Sequence, residues 1–357
     1  MKVASSAELP RRPLLRPRTR RIVSVLLLVV LVLLIVGSVA SSSPWPSALI
    51  IRSVFAKGAA DTVAEMTPYV PTSGVTAELG VRYAPGSPDT TLDAFRPEAG
   101  SEPLPAVVWI HGGAWISGTS ADVDPYLRIL AAHGYATIGL NYTVGPEAQY
   151  PTAVHQLNDA LAYLDANAAR FRIDPGRIVL AGDSAGAQLA SQLAVLTTSP
   201  DYAHLMGLRP ALEKDQLVGV VLNCGVYDLD ALADLTGIGA WGFKTALWSY
   251  SGDKDWSQTS VGSTMSTIRH VTPQFPPTYI SGGNGDGLTW MESLPMARTL
   301  QEQGVDVTQL FWAADHEPAL PHEYQFHLRF PEARQALDAT LSFLAERTGG
   351  GAGTPAS

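Results

Sequence analysis

Gly182-Asp183-Ser184-Ala185-Gly186 reads as G-x-S-x-G, and its surroundings decide the fold. The run before it, Arg177-Ile178-Val179-Leu180-Ala181, is short and apolar, as a buried strand is. The run after it, Ala187 to Thr197, carries Ala, Leu, Gln and Ser and stops before Ser199-Pro200, as a helix does. Strand, glycine-flanked serine and helix form the context of a nucleophile elbow. The turn is too tight for side chains at the flanking positions, which accounts for glycine at both ends. The five-residue pattern is common by itself; the strand and helix make it specific. The competing reading is a plain strand–helix turn.

Outward from this turn the pattern alternates. Ala106–Ile110, Ala136–Leu140, Val218–Leu222, Thr278–Ile280 and Val305–Trp312 read as strands. Tyr126–His133, Ala153–Phe171, Met296–Gln303 and Pro331–Ala345 read as helices. Such alternation predicts an α/β fold: a mostly parallel central sheet with helices on both faces. Val75–Ala84 suggests an opening strand, and Gly86–Glu102, rich in Pro, Asp and Gly, a hairpin or exposed loop. Residues 226–275 break the alternation and are too long for a simple crossover. Their aromatics, Trp241, Phe243, Trp248, Tyr250 and Trp256, either line a substrate pocket under a lid or form the segment's own core.

The net charge of -9 is uneven. Residues 1–21 hold Lys2 and six arginines against Glu8, about +6, which leaves about -15 on the rest. An acidic body argues against nucleic acid as a partner. Cys224, the single cysteine, excludes an internal disulfide and a cysteine-based metal site, and it reads as a small core residue. Ile22 to Ala40 runs 19 residues without a charge. As a helix it spans roughly 28 Å, close to the hydrocarbon core of a bilayer. It reads as an uncleaved signal anchor; a cleaved signal peptide is the alternative, since Ser38-Val39-Ala40 has small-x-small form. Arginines before the span keep that end cytoplasmic and send the body across.

A serine hydroxyl needs a histidine base, and the histidine needs a carboxylate. The fold order is serine, acid, histidine. Of eight histidines, His270, His316, His322 and His327 fall in the last third. His322 lies in the loop between the last strand and last helix, where the base belongs; His316, in the same loop, is the rival. Asp286 is the carboxylate in the glycine-rich loop after Tyr279-Ile280, and Glu292 points elsewhere. An Asx-turn aspartate is the bland alternative for Asp286. Backbone N–H donors must meet the oxyanion, each worth about 2.7–4 kcal/mol. Ala185 follows the serine; His111-Gly112-Gly113-Ala114-Trp115 follows an earlier strand, with His111 holding the loop.

His111-Gly112-Gly113 with Gly182-Asp183-Ser184-Ala185-Gly186 resembles the hormone-sensitive-lipase-like branch of the α/β-hydrolases, which includes bacterial acetyl esterases and carboxylesterases. The likeness covers roughly residues 75–346. It implies an α/β-hydrolase fold and serine-ester hydrolysis of a small-molecule ester without cofactor or metal. By position it implies Ser184 as nucleophile, Asp286 as acid and His322 as base, with Gly112, Gly113, Ala114 and Ala185 lining the oxyanion hole. The cap maps to the helix near 47–66 and to the 226–275 insert. Ala114 replaces a third glycine, so the loop also has the H-G-G-x-W form of formamidase-like and feruloyl-esterase-like relatives. Gly287 stands where many relatives have proline, and Glu323-Tyr324 where Gly-Phe is common. An amide-directed hydrolase and a non-catalytic binding module are the alternatives. The expected organisation is a basic cytoplasmic tail (1–21), a transmembrane helix (22–40), a linker and cap helix (41–74), a catalytic domain (75–348) and a disordered tail (349–357).

Overall fold

The computed structural model describes residues 17–350. The expected basic tail and Gly/Ala-rich tail thus fall largely outside the described residues. The chain divides into two compact units between Pro46 and Ser47. In the first, helix α1 (Pro17–Ser42) contains Arg21–Val39, with a mean hydropathy of 3.3 and none of that span buried. It is long and apolar enough to cross a membrane, a property that signal sequences share.

The second unit holds one eight-stranded sheet in the order β1-β2-β4-β3-β5-β6-β7-β8. The strands are β1 (Val75–Arg82), β2 (Thr91–Pro97), β3 (Leu104–Ile110), β4 (Ala136–Leu140), β5 (Ile173–Asp183), β6 (Leu217–Asn223), β7 (Thr278–Gly282) and β8 (Val307–Phe311). From β4 to β8 all pairings are parallel; β2 runs antiparallel to both β1 and β4. The middle stretches of the central strands are mostly apolar because both faces are covered. Val108, Leu180, Leu222 and Ile280 face one core, and Val107, Trp109, Val179, Val221 and Tyr279 face the other.

Helices supply the rest of both cores. Helix α2 (Trp45–Met66) precedes the sheet, and α3 (Asp124–Ala132) follows β3. Then come α4 (Thr152–Ala166), α5 (Ala168–Phe171), α6 (Ala185–Thr198) and α7 (Pro200–Met206). Leu157 and Leu161 of α4 and Leu189 and Leu193 of α6 pack on the first face. Tyr126 and Leu130 of α3, and Phe343 and Leu344 of the last helix, pack on the second. Removing water from each such side chain contributes about 1.5–3 kcal/mol.

Two segments differ from the sequence reading. The stretch 153–171 is two helices, not one, broken at Asn167. The Asn167 side chain donates to Tyr163 O (2.8 Å), a local bond that competes with the helix. Within 86–102 lies β2, a sheet strand with Leu92, Ala94 and Phe95 buried. Its flanking Pro, Gly and Asp residues hide its alternation.

The 226–275 segment is helical: α8 (Leu229–Ala233), α9 (Gly237–Ser251) and α10 (Ser260–Met265). Its aromatics serve both expected purposes. Tyr250 and Trp256 are buried in the core, and Tyr250 stacks on Trp115 at 5.7 Å between centroids. Trp241 and Phe243 line a cavity instead. A π-helical turn (Thr289–Ser293) leads into α11 (Leu294–Glu302), and α12 (Pro331–Thr348) closes the fold.

Candidate active site

Ser184 joins the end of β5 to α6 with φ 52° and ψ −120°, backbone angles that cost a non-glycine residue about 1–3 kcal/mol. Close packing holds it there. A Cβ on Gly186 would stand 2.0 Å from the Ile110 carbonyl oxygen, and one on Gly182 would stand 2.5 Å from the Gly186 backbone. The Ser184 N–H donates to Asn223 O of β6 (2.9 Å).

The structure brings Ser184, His322 and Asp286 together. His322 Nε2 lies 3.0 Å from Ser184 Oγ, and His322 Nδ1 lies 2.7 Å from Asp286 Oδ2. The other Asp286 oxygen accepts from Leu288 N (3.0 Å). Asn284 ties the two loops: its amide donates to His316 O (2.8 Å), and its Oδ1 accepts from Leu320 N (2.9 Å). His316 is turned away onto Glu332 (3.0 Å), His327 onto Glu65 (3.0 Å) and His270 onto Ser263 O (2.9 Å). Glu292 also faces away, accepting from the N–H groups of Tyr227 and Asp228 at 2.7 Å each. Burial pushes the Glu292 carboxyl up to about 8.

Gly112, Gly113 and Ala114 line the same cavity as Ser184. Gly113 has φ 101°, Ala114 φ 51° and Trp115 φ 59°, so the loop turns through three successive left-handed residues. The Gly112 N–H is committed, donating to Asp183 Oδ2 (2.8 Å), and Trp109 Nε1 donates to Asp183 Oδ1 (2.6 Å). Asp183 therefore clamps the glycine loop to the elbow. Ala185 opens α6, where N–H groups have no intrahelical acceptor. His111 stacks on Tyr142 at 4.5 Å, and burial pushes its imidazole down to about 4, so it stays neutral. Trp115 donates to Gln188 Oε1 (3.0 Å), joining this loop to α6.

Several of these positions carry no motif signal. Asp183 is the x of G-x-S-x-G and Asn284 sits among glycines. Glu323 is the third. It adopts φ 57°, where the resemblance expects glycine, and its N–H donates to Cys224 Sγ (3.3 Å). Its Oε1 lies 3.6 Å from His322 Nε2. Burial, then the Glu323 charge, pushes the Asp183 carboxyl well above the usual range. Burial would lower the His322 imidazole, but the bond to Asp286 and the charges of Glu323, Asp286 and Asp183 outweigh it and lift it to about 9. Cys224 Sγ, Asp286 and His322 lie close enough to share an ion, their ligand atoms within 4.8 Å. Burial keeps the Cys224 thiol protonated, which makes it a poor ligand.

The cavity above Ser184 measures about 900 Å³. Its walls come from α2 (Ile50, Val54, Phe55), from α9 and the residues before it (Leu235, Trp241, Phe243), and from Leu288 and Met291. Arg52 pins α2 to the body, donating to Ile116 O (2.6 Å) and Gly145 O (2.8 Å) and pairing with Glu147 (2.6 Å).

A central parallel sheet covered by helices, with a serine elbow after its fifth strand, defines the α/β-hydrolase fold. The chain belongs to the BD-FAE family, whose profile matches residues 92–297. Esterase B of Lactobacillus Rhamnosis superposes with a TM-score of 0.70 at 25% identity, over 84% of this chain and 96% of its own. A hyperthermophilic esterase of Pyrobaculum calidifontis gives a TM-score of 0.65 at 21% identity, over 84% and 91% of the two chains. An α/β hydrolase of Acanthamoeba polyphaga mimivirus is 32% identical over 122 residues, 33% of this chain and 35% of that protein. The match thus spans about a third of that relative's length.

Proposed function

We propose that the protein is a serine carboxylesterase with Ser184 as nucleophile, His322 as base and Asp286 as acid. The observation that carries this reading is the unbroken hydrogen-bond chain Ser184–His322–Asp286 at the floor of the cavity. The likeness to esterase B of Lactobacillus Rhamnosis supports ester over amide substrates. In the first step the Ser184 oxygen attacks the ester carbonyl while His322 Nε2 takes its proton. Asp286, on Nδ1, fixes the tautomer and stabilises the imidazolium. The N–H groups of Gly113, Ala114 and Ala185 receive the oxyanion, and Gly112 serves the hole through the clamp on Asp183. His322 then protonates the departing alkoxide, leaving an acyl-Ser184. Water, deprotonated by the same imidazole, releases the acid and restores the serine.

The same reading gives the chain one membrane anchor. Residues 1–21 stay in the cytoplasm, 22–40 cross the bilayer and the catalytic body, 75–348, lies beyond it, with 41–74 and 226–275 as its cap. Protease added outside whole cells reaches the body if this orientation is right; protection of the body overturns it. A mature chain beginning near Ser41 replaces the anchor with a cleaved signal peptide.

The direct test is hydrolysis of p-nitrophenyl esters by the full chain. Ser184→Ala and His322→Ala each lower kcat roughly 10⁵-fold or more, as expected of groups that act as one unit. A folded wild type that cleaves amides but no ester overturns the ester assignment.

A further inference from the structure

We infer that the mouth of the cavity rests on the lipid surface that Arg21–Val39 enters, and that the substrate is a long-chain, water-insoluble ester drawn from the bilayer. This rests on the esterase reading above and names its substrate class.

The first observation is where exposed apolar side chains gather. Ile50, Val54, Phe55 and Trp241 line the cavity, yet each is between 41% and 64% exposed. Leu49, beside them on α2, is 49% exposed without lining the cavity. An apolar rim around an open apolar cavity is costly in water and marks a surface that meets something. Trp at such a rim suits a membrane interface, where one end of the ring is apolar and the other wet.

The second observation is the charge along α2. Between Trp45 and Ala56 the only charged residue is Arg52, and its guanidinium is engaged by Ile116 O, Gly145 O and Glu147. Free charge returns only in the following turns, with the exposed Lys57–Asp61 pair. The uncharged part of the helix is thus the part that follows the membrane-crossing candidate, and Ser43 and Pro44 alone separate α1 from α2. Two residues span at most about 7 Å. The apolar start of α2 therefore cannot lie far from any bilayer that α1 enters, which selects lipid over other occupants of this face.

The third observation is the cavity itself. At about 900 Å³ it lies near the top of the range for small-molecule sites, and its α2 and α9 walls are aliphatic or aromatic apart from glycines and Thr62. An acyl chain leaving the bilayer through this rim meets Ile50, Val54, Phe55, Leu235 and Phe243 on its way to Ser184.

The test uses the full chain in phosphatidylcholine vesicles. Leu49→Cys and Val54→Cys carry a polarity-sensitive fluorophore; Leu79→Cys and Leu205→Cys, 60% and 57% exposed, are the references. Cys224 is fully buried and escapes labelling. Blue-shifted emission at 49 and 54, quenched at least about threefold more by bilayer-borne quenchers than at 79 and 205, is expected. Equal quenching at all four sites overturns docking. Shielding at 49 and 54 without lipid quenching also overturns it, and assigns the face to a second copy of the chain. In parallel, Leu49→Glu lowers kcat/KM at least about fivefold on p-nitrophenyl palmitate in the vesicles, relative to its effect on p-nitrophenyl acetate in water. An equal effect on both overturns the delivery of substrate from lipid. Lipid-embedded probes with neither ester cleaved leave the docking standing and remove the esterase reading.

Discussion

At Gly186, in the elbow, an added Cβ would sit 2.0 Å from a carbonyl oxygen; at Gly239 and Gly242, in the helix over the cavity, nothing lies within 4 Å. The elbow and the glycine loop interlock backbone on backbone, so Ser184 is held by atoms that have no alternative position. The cavity roof, built from α2 and the 226–275 segment, meets the substrate space through side chains that can repack. On the proposed reading, the difference assigns the chemistry to one part of the molecule and the choice of substrate to the other. Small changes in the first part should cause large losses, and large changes in the second part small ones.

The strongest way to break that comparison is Asp286→Asn. It exchanges one oxygen for one nitrogen and leaves the shape intact. Nδ1 of His322, which now donates to Asp286 Oδ2 at 2.7 Å, would face an amide able to donate as well. The wrong tautomer then places a proton on Nε2, against Ser184. The expected result is a fall in kcat of about 10⁴-fold with an unchanged melting curve, read by ester hydrolysis and circular dichroism. A fall of less than tenfold would show that Asp286 does not orient the base.

The matching change in the roof is Trp241→Ala. It removes far more atoms from a residue 48% exposed that lines the cavity. It is expected to lower kcat/KM about tenfold for long acyl chains and less for short ones, since it deletes apolar contact made only by the distal chain. An equal loss at every chain length would place Trp241 with the chemistry and erase the distinction.

This division also explains what could be read in the chain. Ser184, Asp286 and His322 were legible because their elements announce them: a glycine-pinned turn, a glycine-rich loop after a strand, and a loop before the last helix. Its place in the loop favours His322 over His316, and the fold turns His316 away onto Glu332. The central strands were legible because burial on both faces leaves mostly apolar residues; β2 was not, because the Pro, Gly and Asp residues flanking it hide its alternation. The clamps Asp183 and Asn284 act through pairs of hydrogen bonds to groups that are distant in sequence. No periodicity or spacing records such a bond. The cavity walls were half legible, because an aromatic that faces substrate and one that fills a core have the same composition.

Glu323 tests the boundary between the two regions, because it sits beside the base yet belongs to neither the triad nor the roof. Its carboxylate oxygen lies 3.6 Å from His322 Nε2. The charges facing that imidazole are Asp286 from the loop after β7, Asp183 from the end of β5 and Glu323 from its own loop, with the neutral Cys224 thiol behind them. Burial works against them, and the balance lifts the imidazole to about 9 from an ordinary 6.5. A base must lose its proton to act, so kcat/KM in the wild type rises with pH along a limb placed above 6.5 and toward 9. Glu323→Gln keeps the volume and removes one negative charge. The imidazolium loses part of its stabilisation, and the limb moves to lower pH by roughly half a unit to one unit. The plateau at high pH stays within about twofold, because the neutral base is the same in both proteins. A limb that stays in place means that Glu323 does not act on the proton affinity of His322. A limb that moves to higher pH contradicts the electrostatics of this corner outright.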